Sequence, residues 1–563
     1  MGTDAPFSFR TRAEGLAAMS ADPVDLLVIG GGITGAGIAR DAAMRGIRTA
    51  LVEMGDWGSA TSSRSSRLVH GGLRYLEQGN LSLVFEATHE RRVLLRLAPH
   101  LVRPLPFLFP VYRGARVPAW KLRAGMWLYD ALAAFRNVHW HRWLPPKEVA
   151  RLEPRLRTKG LKGAALYYDA QVDDARLVLA TVRAAAQAGA LVANHADATS
   201  LLKSDGAVRG AVVRDRVTGT NHTVRALVVV NATGPWVDAV RRRDDPDAAP
   251  LLRLTRGAHV VVRRARLGHT HAVTLLSPID GRVMFVLPWG DLSYVGTTDT
   301  DDAGSPADVR ATGADVVYLL RSANALFPDA RLTARDVMSS WAGLRALLAP
   351  DGDRAASEVS REHRVSEAAS GMITIAGGKL TTYRRMAREV VDRVAQDLHD
   401  LDGRPEPRPA ATDRIPLPGG EAADLDVLVH SLEQRDVPEP QARHLVAYYG
   451  SEAAAVRNLA ERNRTLDEPI LASRPEVWAE IVYAVEREMA MRLADVLIRR
   501  LHLFYEDPAH GSTISTAVAD RMAELLGWDQ ARRDAEIEDY TAEVKRARAF
   551  LRETSRISKE TAV

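Results

Sequence analysis

The clearest pattern in the sequence is an apolar run that ends in glycines and leads into an Ala-rich segment. Residues 25–30 (DLLVIG) are typical of a strand buried on both faces of a parallel sheet. Residues 33–45 predict a helix that ends before Gly46, and residues 49–53 predict the next strand. Together they predict a strand–turn–helix–strand unit.

The same pattern returns at distant places in the chain. Residues 227–231 and 372–376 are apolar runs followed by glycine and a helical segment, which indicates one sheet built from scattered segments. Residues 258–264, 282–288 and 292–297 are instead rich in β-formers, with a turn at 289–291. They predict an antiparallel sheet with a hairpin, inserted between the parallel segments.

After about residue 401 the chain is first Pro- and Gly-rich (403–420), which predicts a linker, and then helical. Ser473 and Glu476 have the spacing of a capping box. One buried helical face is predicted for Trp478, Ile481, Val485, Met489, Val496 and Leu497, and a solvated face for Glu486, Glu488, Arg499 and Arg500. The last dozen residues are polar and are expected to fray.

Composition narrows the class of protein. A chain of 563 residues is too long for one ordinary core, so two or three are expected. A net charge of +4 without aromatic-interleaved basic stretches gives no reason to expect nucleic acid. The chain has no cysteine, and its histidines lack metal-ligand spacing, so no metal site is expected. No long uncharged apolar run predicts a membrane span, and the residues before Asp25 do not resemble a secretory signal.

The glycine turn has the sequence G-x-G-x-x-G in the context that dinucleotide binding requires. Gly30 permits the tight turn, Gly32 lets the backbone approach a pyrophosphate, and Gly35 lets helix and strand pack closely. The helix N-terminus attracts phosphate, and Glu53 can accept hydrogen bonds from ribose hydroxyls. The alternative is a turn that binds nothing, and the unit alone does not separate NAD from FAD.

Residues 61–77 (TSSRSSRLVHGGLRYLE) are dense in hydroxyls, cations and glycine. From the residues alone they predict a loop leading into a helix that suits a polyanion or a flavin edge, or else a capped helix with a solvated Arg face. The segment closely resembles the signature of the FAD-dependent, quinone-linked (aerobic) glycerol-3-phosphate dehydrogenases. Further segments match that family in order, at 172–177, 230–236, 256–260, 286–289, 296–299, 342–345, 360–363, 377–384 and 488–500.

The resemblance implies a fold of class α/β plus α+β. A Rossmann-like FAD-binding domain of the D-amino-acid-oxidase type would be interleaved with an antiparallel-sheet substrate domain and followed by a C-terminal helical cap. The expected boundaries are an N-terminal extension (1–21), FAD-binding segments (about 22–100, 160–245 and 340–400), substrate-domain segments (about 101–159 and 246–339), a linker (401–420), the helical domain (421–550) and a frayed end (551–563).

The resemblance also implies the cofactor, FAD, and the residues around it. The expected FAD contacts are Gly30, Gly32, Thr34, Gly35, Glu53, Thr61, Ser62, Ser63, Ser66, His70, Gly71, Gly72, Ala232, Gly234, Gly378, Lys379, Leu380 and Thr381. The expected substrate and catalytic residues are His70, Arg74, Tyr75, His259, Arg345, Arg361 and Lys379.

The chemistry explains these residue types. Guanidinium groups bind phosphate oxygens in pairs, which favours Arg345 and Arg361 as the phosphate ligands, although each taken alone is more typical of a surface salt bridge. His70 is the leading general base, ahead of His259 and His363, and a core histidine is the alternative for each. Arg64 and Arg67 lie where the family carries other residues, so the resemblance assigns them no role.

The implied function is oxidation of sn-glycerol 3-phosphate to dihydroxyacetone phosphate by hydride transfer to flavin N5, with electrons passed to a membrane quinone. The alternatives are an oxygen-using oxidase of glycerol 3-phosphate or of an amino acid, and a non-catalytic FAD-binding scaffold. The short connection 346–360 lacks the insert that the oxidases often carry, which favours the dehydrogenase.

Quinone chemistry implies that a cytoplasmic protein contacts the inner face of the cell membrane peripherally. Residues 102–129 are the candidate contact segment because Phe107, Phe109, Trp120 and Trp127 lie among arginines and a lysine. A buried segment of the substrate domain is the alternative. The sequence leaves the oligomeric state open, with a homodimer as one possibility, and it does not show whether flavin is covalently linked.

Overall fold

A computed structural model describes residues 7–72, 76, 79–133, 137–349 and 362–560. The strands are β1 Val24–Ile29, β2 Thr49–Val52, β3 Leu68–Val69, β4 Val102–Tyr112, β5 Arg142–Leu144, β6 Leu161–Val172, β7 Leu191–Ala193, β8 Ala196–Ser204, β9 Ala207–Asp215, β10 Asn221–Asn231, β11 Leu252–Arg263, β12 Ala272–Leu276, β13 Val283–Trp289, β14 Leu292–Gly296, β15 Thr300–Asp301, β16 Val337–Leu348, β17 His363–Glu367 and β18 Ile373–Gly377.

The α-helices are α1 Phe9–Ala21, α2 Ile33–Met44, α3 Leu81–Leu97, α4 Ala119–Leu132, α5 Pro146–Leu152, α6 Asp174–Gln187, α7 Val237–Asp244, α8 Arg264–Leu267, α9 Gly313–Leu326, α10 Tyr383–Asp402, α11 Leu425–Glu433, α12 Glu439–Tyr449, α13 Ala453–Arg462, α14 Trp478–Arg487, α15 Leu503–Glu506, α16 Ser515–Leu526, α17 Gln530–Ala547 and α18 Phe550–Glu560. A π-helix spans Asp495–Arg500. Within the described residues, no helix combines the length and apolar composition needed to cross a bilayer.

The first sheet contains the predicted strand–turn–helix–strand unit. Its strand order is β17-β18-β10-β1-β2-β7, and every pair in that order is parallel except β17–β18. All six residues of β1 are buried because α2, α6 and α10 cover one face of the sheet while α1 and the β8–β9 hairpin cover the other. The carboxyl ends of β1, β2, β10 and β18 therefore meet at one edge, where such sheets bind ligands.

The second sheet is almost entirely antiparallel. Its order is β15-β11-β14-β13-β12-β4-β6-β3, with β16 added beside β11 and β5 beside β6. The predicted hairpin is present, since β13 and β14 pair from Phe285↔Gly296 to Trp289↔Leu292. The C-terminal helices pack on this sheet, where Ile481, Val485, Leu497 and Phe504 share a core with Phe107 and Tyr167. The expected fold class is confirmed.

Three expectations about the boundaries were wrong. The strands β6 and β16 belong to the second sheet, not to the FAD-binding segments, because they pair along β4 and β11 over most of their length. The helix near Ser473 begins only at Trp478 and ends at Arg487. Residues 551–560, expected to fray, belong to α18, which packs on α9 through the buried Phe550.

The predicted solvated face of the C-terminal region was also wrong in part. Glu486 is exposed, but Glu488 and Arg500 are almost completely buried and Arg499 is partly buried. The carboxylate of Glu488 accepts a 2.5 Å hydrogen bond from Arg176 of α6. These charges tolerate burial because each meets an opposite charge from another part of the chain.

Candidate active site

The glycine turn after β1 has the geometry that the motif predicts. Gly30 has a φ of +110°, a conformation that residues with a Cβ rarely adopt. A Cβ on Gly35 would lie 1.9 Å from the carbonyl oxygen of Gly30, so only glycine lets α2 pack against β1 here. The side chain of Ser62 reaches the start of α2, where its Oγ accepts a hydrogen bond from the Ile33 N–H (3.0 Å). The turn thus supplies a helix N-terminus bordered by hydroxyl groups.

A cavity of about 130 Å³ lies over this turn. Among the expected FAD contacts, Gly30, Gly32, Thr34, Glu53, Thr61, Ser62, Ala232 and Gly234 line it. The carboxylate of Glu53 accepts hydrogen bonds from the Gly31 N–H (2.6 Å) and the Gly55 N–H (2.8 Å). Burial raises the pKa of Glu53, and these two N–H groups oppose that shift. The cavity has the floor, phosphate end and carboxylate that an adenosine diphosphate group requires.

The hydroxyl-rich loop connects the two sheets. Residues Thr61–Ser63 form a single 3-10 turn, and the Thr61 hydroxyl donates to the Leu344 carbonyl of β16 (2.7 Å). Ser63 is buried, and Ser66 Oγ lies 2.9 Å from His259 Nε2. The loop therefore runs from the glycine turn to the second sheet.

The segment after β18 meets this loop from the other side. Gly377 and Gly378 both have positive φ angles, and Leu380–Thr382 form a 3-10 turn that leads into α10. The Thr381 hydroxyl accepts a hydrogen bond from the His70 N–H (3.3 Å). Lys379 begins this turn, and its ammonium nitrogen is buried.

A second cavity, of about 440 Å³, lies between the loop and the antiparallel sheet. Its wall includes Ser66, His70 and Gly72 from the loop, Arg116, Lys121 and Leu128 from the region of α4, Asp169 of β6, and Thr297 and Arg345 from the second sheet. The structure therefore brings the predicted base His70 and the predicted cation Arg345 to one cavity. Arg74, Tyr75 and Arg361 lie outside the described residues.

Arg345 is held in place by the β14–β15 connection. Its guanidinium donates to Asp299 Oδ1 (3.1 Å), to Thr297 Oγ1 (3.0 Å) and to the Thr298 carbonyl (3.0 Å). It lies directly over Gly257 of β11, where a Cβ would come within 2.3 Å of its terminal nitrogen. A guanidinium fixed at a cavity wall is suited to binding an anion.

The other two candidate histidines lie elsewhere. His259 is buried, and its ring stacks on Trp341 with centroids 4.9 Å apart. Burial, together with the charges of Arg345 and Arg67, lowers the pKa of His259 to about 3. His363 pairs with Glu389 instead (2.8 Å). Neither ring is among the described residues that line the second cavity, so His70 is the better placed of the three.

Sequence reasoning missed a cluster beneath His70. Asp169 Oδ1 accepts hydrogen bonds from Arg91, from the Tyr129 hydroxyl (2.7 Å) and from the Gly71 N–H (3.1 Å). Burial raises the pKa of Tyr129 well above its usual value. Asp169 is a lone acid in the apolar strand β6, and a buried carboxylate needs such partners. An isolated acid in such a strand is therefore the sequence feature that could have indicated this cluster.

The role of Arg67, which the resemblance left open, is structural. Its guanidinium carbon lies 3.9 Å from the Trp289 ring centroid, and its Nε lies 3.8 Å from Asp174 Oδ1. Arg64 donates to the Val309 carbonyl (3.3 Å). Both side chains thus serve packing between the loop and its surroundings.

A dinucleotide cradle at the edge of a parallel sheet, beside a cavity roofed by an antiparallel sheet, defines the class of FAD-dependent oxidoreductases. The family model described as FAD dependent oxidoreductase matches residues 25–384. A second, described as the C-terminal domain of alpha-glycerophosphate oxidase, matches residues 410–533. The glycines that clear the cradle and the carboxylate at its end fit FAD, which is the cofactor of this chain.

Relatives narrow the class. The aerobic glycerol-3-phosphate dehydrogenases of Staphylococcus aureus (strain USA300) and Staphylococcus haemolyticus are each 36% identical to this chain, covering 93% and 96% of it and 94% and 96% of their own lengths. The crystal structure of the glycerol-3-phosphate dehydrogenase from Bacillus halodurans, complexed with FAD, is 35% identical, covers 97% of this chain and 99% of its own, and has a TM-score of 0.81. The chain belongs to the aerobic glycerol-3-phosphate dehydrogenase family.

Proposed function

We propose that this enzyme oxidises sn-glycerol 3-phosphate to dihydroxyacetone phosphate and passes the electrons to a membrane quinone. The observation that carries the proposal is the second cavity, where Arg345 and His70 face the same space beside the FAD cradle. Bound FAD would supply the hydride acceptor, flavin N5. The relatives named above act on glycerol 3-phosphate by their names.

In this proposal Arg345 binds the substrate phosphate and His70 takes the hydroxyl proton. Arg116 and Lys121 also line the cavity and add positive charge at its wall. The hydrogen bonds from Arg345 to Asp299, Thr297 and Thr298 fix the guanidinium before substrate arrives, so little orientation entropy is lost on binding. Arg74, Tyr75, Arg361 and Lys379 remain proposed site residues from the sequence.

The test is anaerobic titration of the yellow protein with sn-glycerol 3-phosphate. The flavin absorbance is expected to bleach, and a quinone analogue should restore it. Absence of bleaching would refute the dehydrogenase and favour a non-catalytic scaffold. Rapid restoration by oxygen alone would instead identify an oxidase.

A matched pair of variants tests the phosphate ligand. Arg345→Ala is expected to weaken substrate binding strongly while FAD content stays unchanged. Arg253→Ala removes an arginine of the same sheet that pairs with Asp301 (2.6 Å), and it should leave substrate binding unchanged. Equal loss of flavin in Arg345→Ala would move Arg345 to the cofactor site.

We further propose that α4 faces the membrane. Trp120 and Trp127 of α4 are 73% and 58% exposed, and Trp140, which follows the helix, is 57% exposed, whereas Phe107 and Phe109 of β4 are buried. The same helix lines the second cavity with Lys121 and Leu128, so an apolar acceptor at a bilayer surface would lie close to the cavity. Exposed tryptophans next to cations suit an interface with anionic lipid.

Vesicle sedimentation tests the membrane surface. The full chain should sediment with vesicles of anionic lipid more than with neutral ones. Trp120→Ser/Trp127→Ser should abolish this, while Val427→Ser, which alters an equally exposed apolar residue on α11, should not. Equal sedimentation of both variants would exclude this surface.

A further inference from the structure

A buried ionic cluster lies next to the segment that follows β2. Asp56 follows Gly55, whose N–H donates to the Glu53 carboxylate, and Asp56 is 1% exposed. Its carboxylate accepts hydrogen bonds from Arg500 Nη1 (2.6 Å) and Nη2 (2.9 Å) and from Arg499 Nε (2.5 Å). Both arginines belong to the π-helix Asp495–Arg500, so the C-terminal region reaches the FAD-binding sheet at this point.

The same π-helix holds a second segment of that sheet. His195 Nε2 lies 2.9 Å from Asp495 Oδ2, and the His195 N–H donates to the Gly55 carbonyl (2.7 Å). The Ala196 N–H donates to the Glu53 carbonyl (2.7 Å). Glu53 and Gly55, just before Asp56, are therefore bound to residues 195 and 196, and the π-helix contacts His195 through Asp495.

The N-terminal helix closes the cluster from a third side. Arg12 of α1 donates to the Asn194 carbonyl (2.8 Å), to the His195 carbonyl (3.3 Å) and to Asp215 (2.6 Å). Asn194 in turn donates to Asp56 Oδ1 (3.1 Å). Three distant parts of the chain thus converge on one segment.

The charges account for the strength of this junction. Asp56 and Asp495 are buried carboxylates, which are costly unless paired, and the Arg500 charge keeps the pKa of Asp56 low in spite of burial. Asp56, His195 and Asp495 lie close enough together to hold a metal ion, but guanidinium and backbone N–H donors already occupy their carboxylate oxygens. The cluster is therefore better explained as a set of ion pairs that joins the two parts of the chain than as a metal centre. We call the pairs of Asp56 with Arg499 and Arg500 the ionic latch.

The ionic latch lies next to the first cavity but does not line it. Glu53, Met54, Gly58, Ser59 and Ala60 line the first cavity, whereas Asp56, Arg499 and Arg500 are not among the described residues at its wall. We propose that Asp56, Arg499 and Arg500 are positioning residues for FAD. Docking of the π-helix fixes the loop that holds the adenosine end of FAD, so FAD affinity is set in part by an arginine 444 residues away. By linkage, FAD also strengthens docking of the C-terminal region.

The test compares two arginines that each join the FAD-binding part of the chain to the C-terminal region. Arg500→Met breaks the latch. Arg183→Met breaks the pair between α6 and Glu452 (2.6 and 2.8 Å), which does not involve the loop after β2. FAD is removed from each full-length protein, and the affinity of the apoprotein is measured by quenching of FAD fluorescence.

Arg500→Met is expected to bind FAD about tenfold more weakly than the parent, a typical coupling between sites, and Arg183→Met within about twofold. Hydrogen exchange of the apoprotein should rise at residues 53–60 and 194–196 in Arg500→Met only. Asp56→Asn, nearly isosteric, should weaken FAD binding in the same direction and serves if Arg500→Met does not fold. Equal FAD affinity in Arg500→Met, Asp56→Asn and Arg183→Met would overturn the proposal.

Discussion

A single methyl group at Gly257 should displace Arg345 from the second cavity. The Cβ of Gly257→Ala would lie 2.3 Å from one terminal nitrogen of Arg345 and 2.6 Å from its central carbon. Ordinary contacts between such atoms are about 3.5 Å, so the guanidinium must move by about 1 Å. Gly257 lies in β11 without a positive φ, so the backbone accepts alanine.

Displacement of the Arg345 guanidinium should lower kcat/KM much more than it lowers the stability of the fold. Moving the guanidinium weakens its hydrogen bonds to Asp299, Thr297 and Thr298 but leaves the core intact, so the free energy of unfolding should fall by only about 1 kcal/mol. A misplacement of about 1 Å in an active site, by contrast, can lower the rate about 100-fold. That corresponds to about 2.7 kcal/mol in kcat/KM for sn-glycerol 3-phosphate. The assay is anaerobic reduction of an artificial acceptor, with FAD content and thermal midpoint measured on the same sample.

Two further variants make the result decisive. Gly15→Ala adds a methyl group in α1 at an ordinary 3.4 Å from the Val192 carbonyl, and it should leave kcat/KM unchanged. In a double-mutant cycle, Gly257→Ala should add almost nothing to Arg345→Ala, because both act on the same group. A kcat/KM within threefold of the parent, or full additivity in the cycle, would refute the role given to Arg345.

Three other outcomes can be checked directly. Glu53→Ala should lower FAD occupancy after purification, because the carboxylate that orders the Gly31 and Gly55 N–H groups is lost; full occupancy would remove Glu53 from the cofactor site. Gly35→Ala should destabilise the fold by about 3 kcal/mol in chemical denaturation, since its Cβ would overlap the Gly30 carbonyl; a stable, FAD-loaded variant would contradict this. His259 has a pKa of about 3 when folded and about 6.5 when unfolded, so between these values the unfolded chain binds the extra proton and stability falls as pH falls. His259→Gln should therefore lose about 2 kcal/mol less than the parent between pH 8 and pH 5, and an unchanged pH dependence would show that His259 does not carry this penalty.

Local chemistry made the geometry of the strand–turn–helix–strand unit predictable. The turn at Gly30, the helix that follows it and Glu53 at the end of β2 all depend on neighbours within one strand–helix–strand unit, so their sequence carries the geometry. The pairing of His70 with Arg345 across one cavity came from resemblance, since nothing local brings β16 to the loop.

Long-range pairing explains what the sequence did not reveal. Helical periodicity placed Glu488 and Arg500 on a solvated face because their partners, Arg176 and Asp56, come from other domains of the chain. The aromatic residues of segment 102–129 also differ in burial, since Phe107 of β4 is buried and Trp120 of α4 is exposed. Helical periodicity in a sequence shows which residues share one face of a helix, but it does not show which other part of the chain covers that face.

The interleaving of the first sheet has a consequence for the order of folding during synthesis. The strand that carries the glycine turn, β1, lies between β2 and β10, and β10 in turn pairs with β18 near residue 373. A ribosome-bound chain that has released only its first two hundred residues lacks a third of the residues that line the first cavity, because those residues lie between Ala232 and Arg243. Domains commonly fold as they emerge. In this domain β2 can already pair with β1 and β7, but β1 stays unpaired on its other edge until β10 has been synthesised. The cradle for FAD is therefore complete only after β10 and the turn that follows it have left the ribosome, and until then one edge of β1 is open to pairing with other chains.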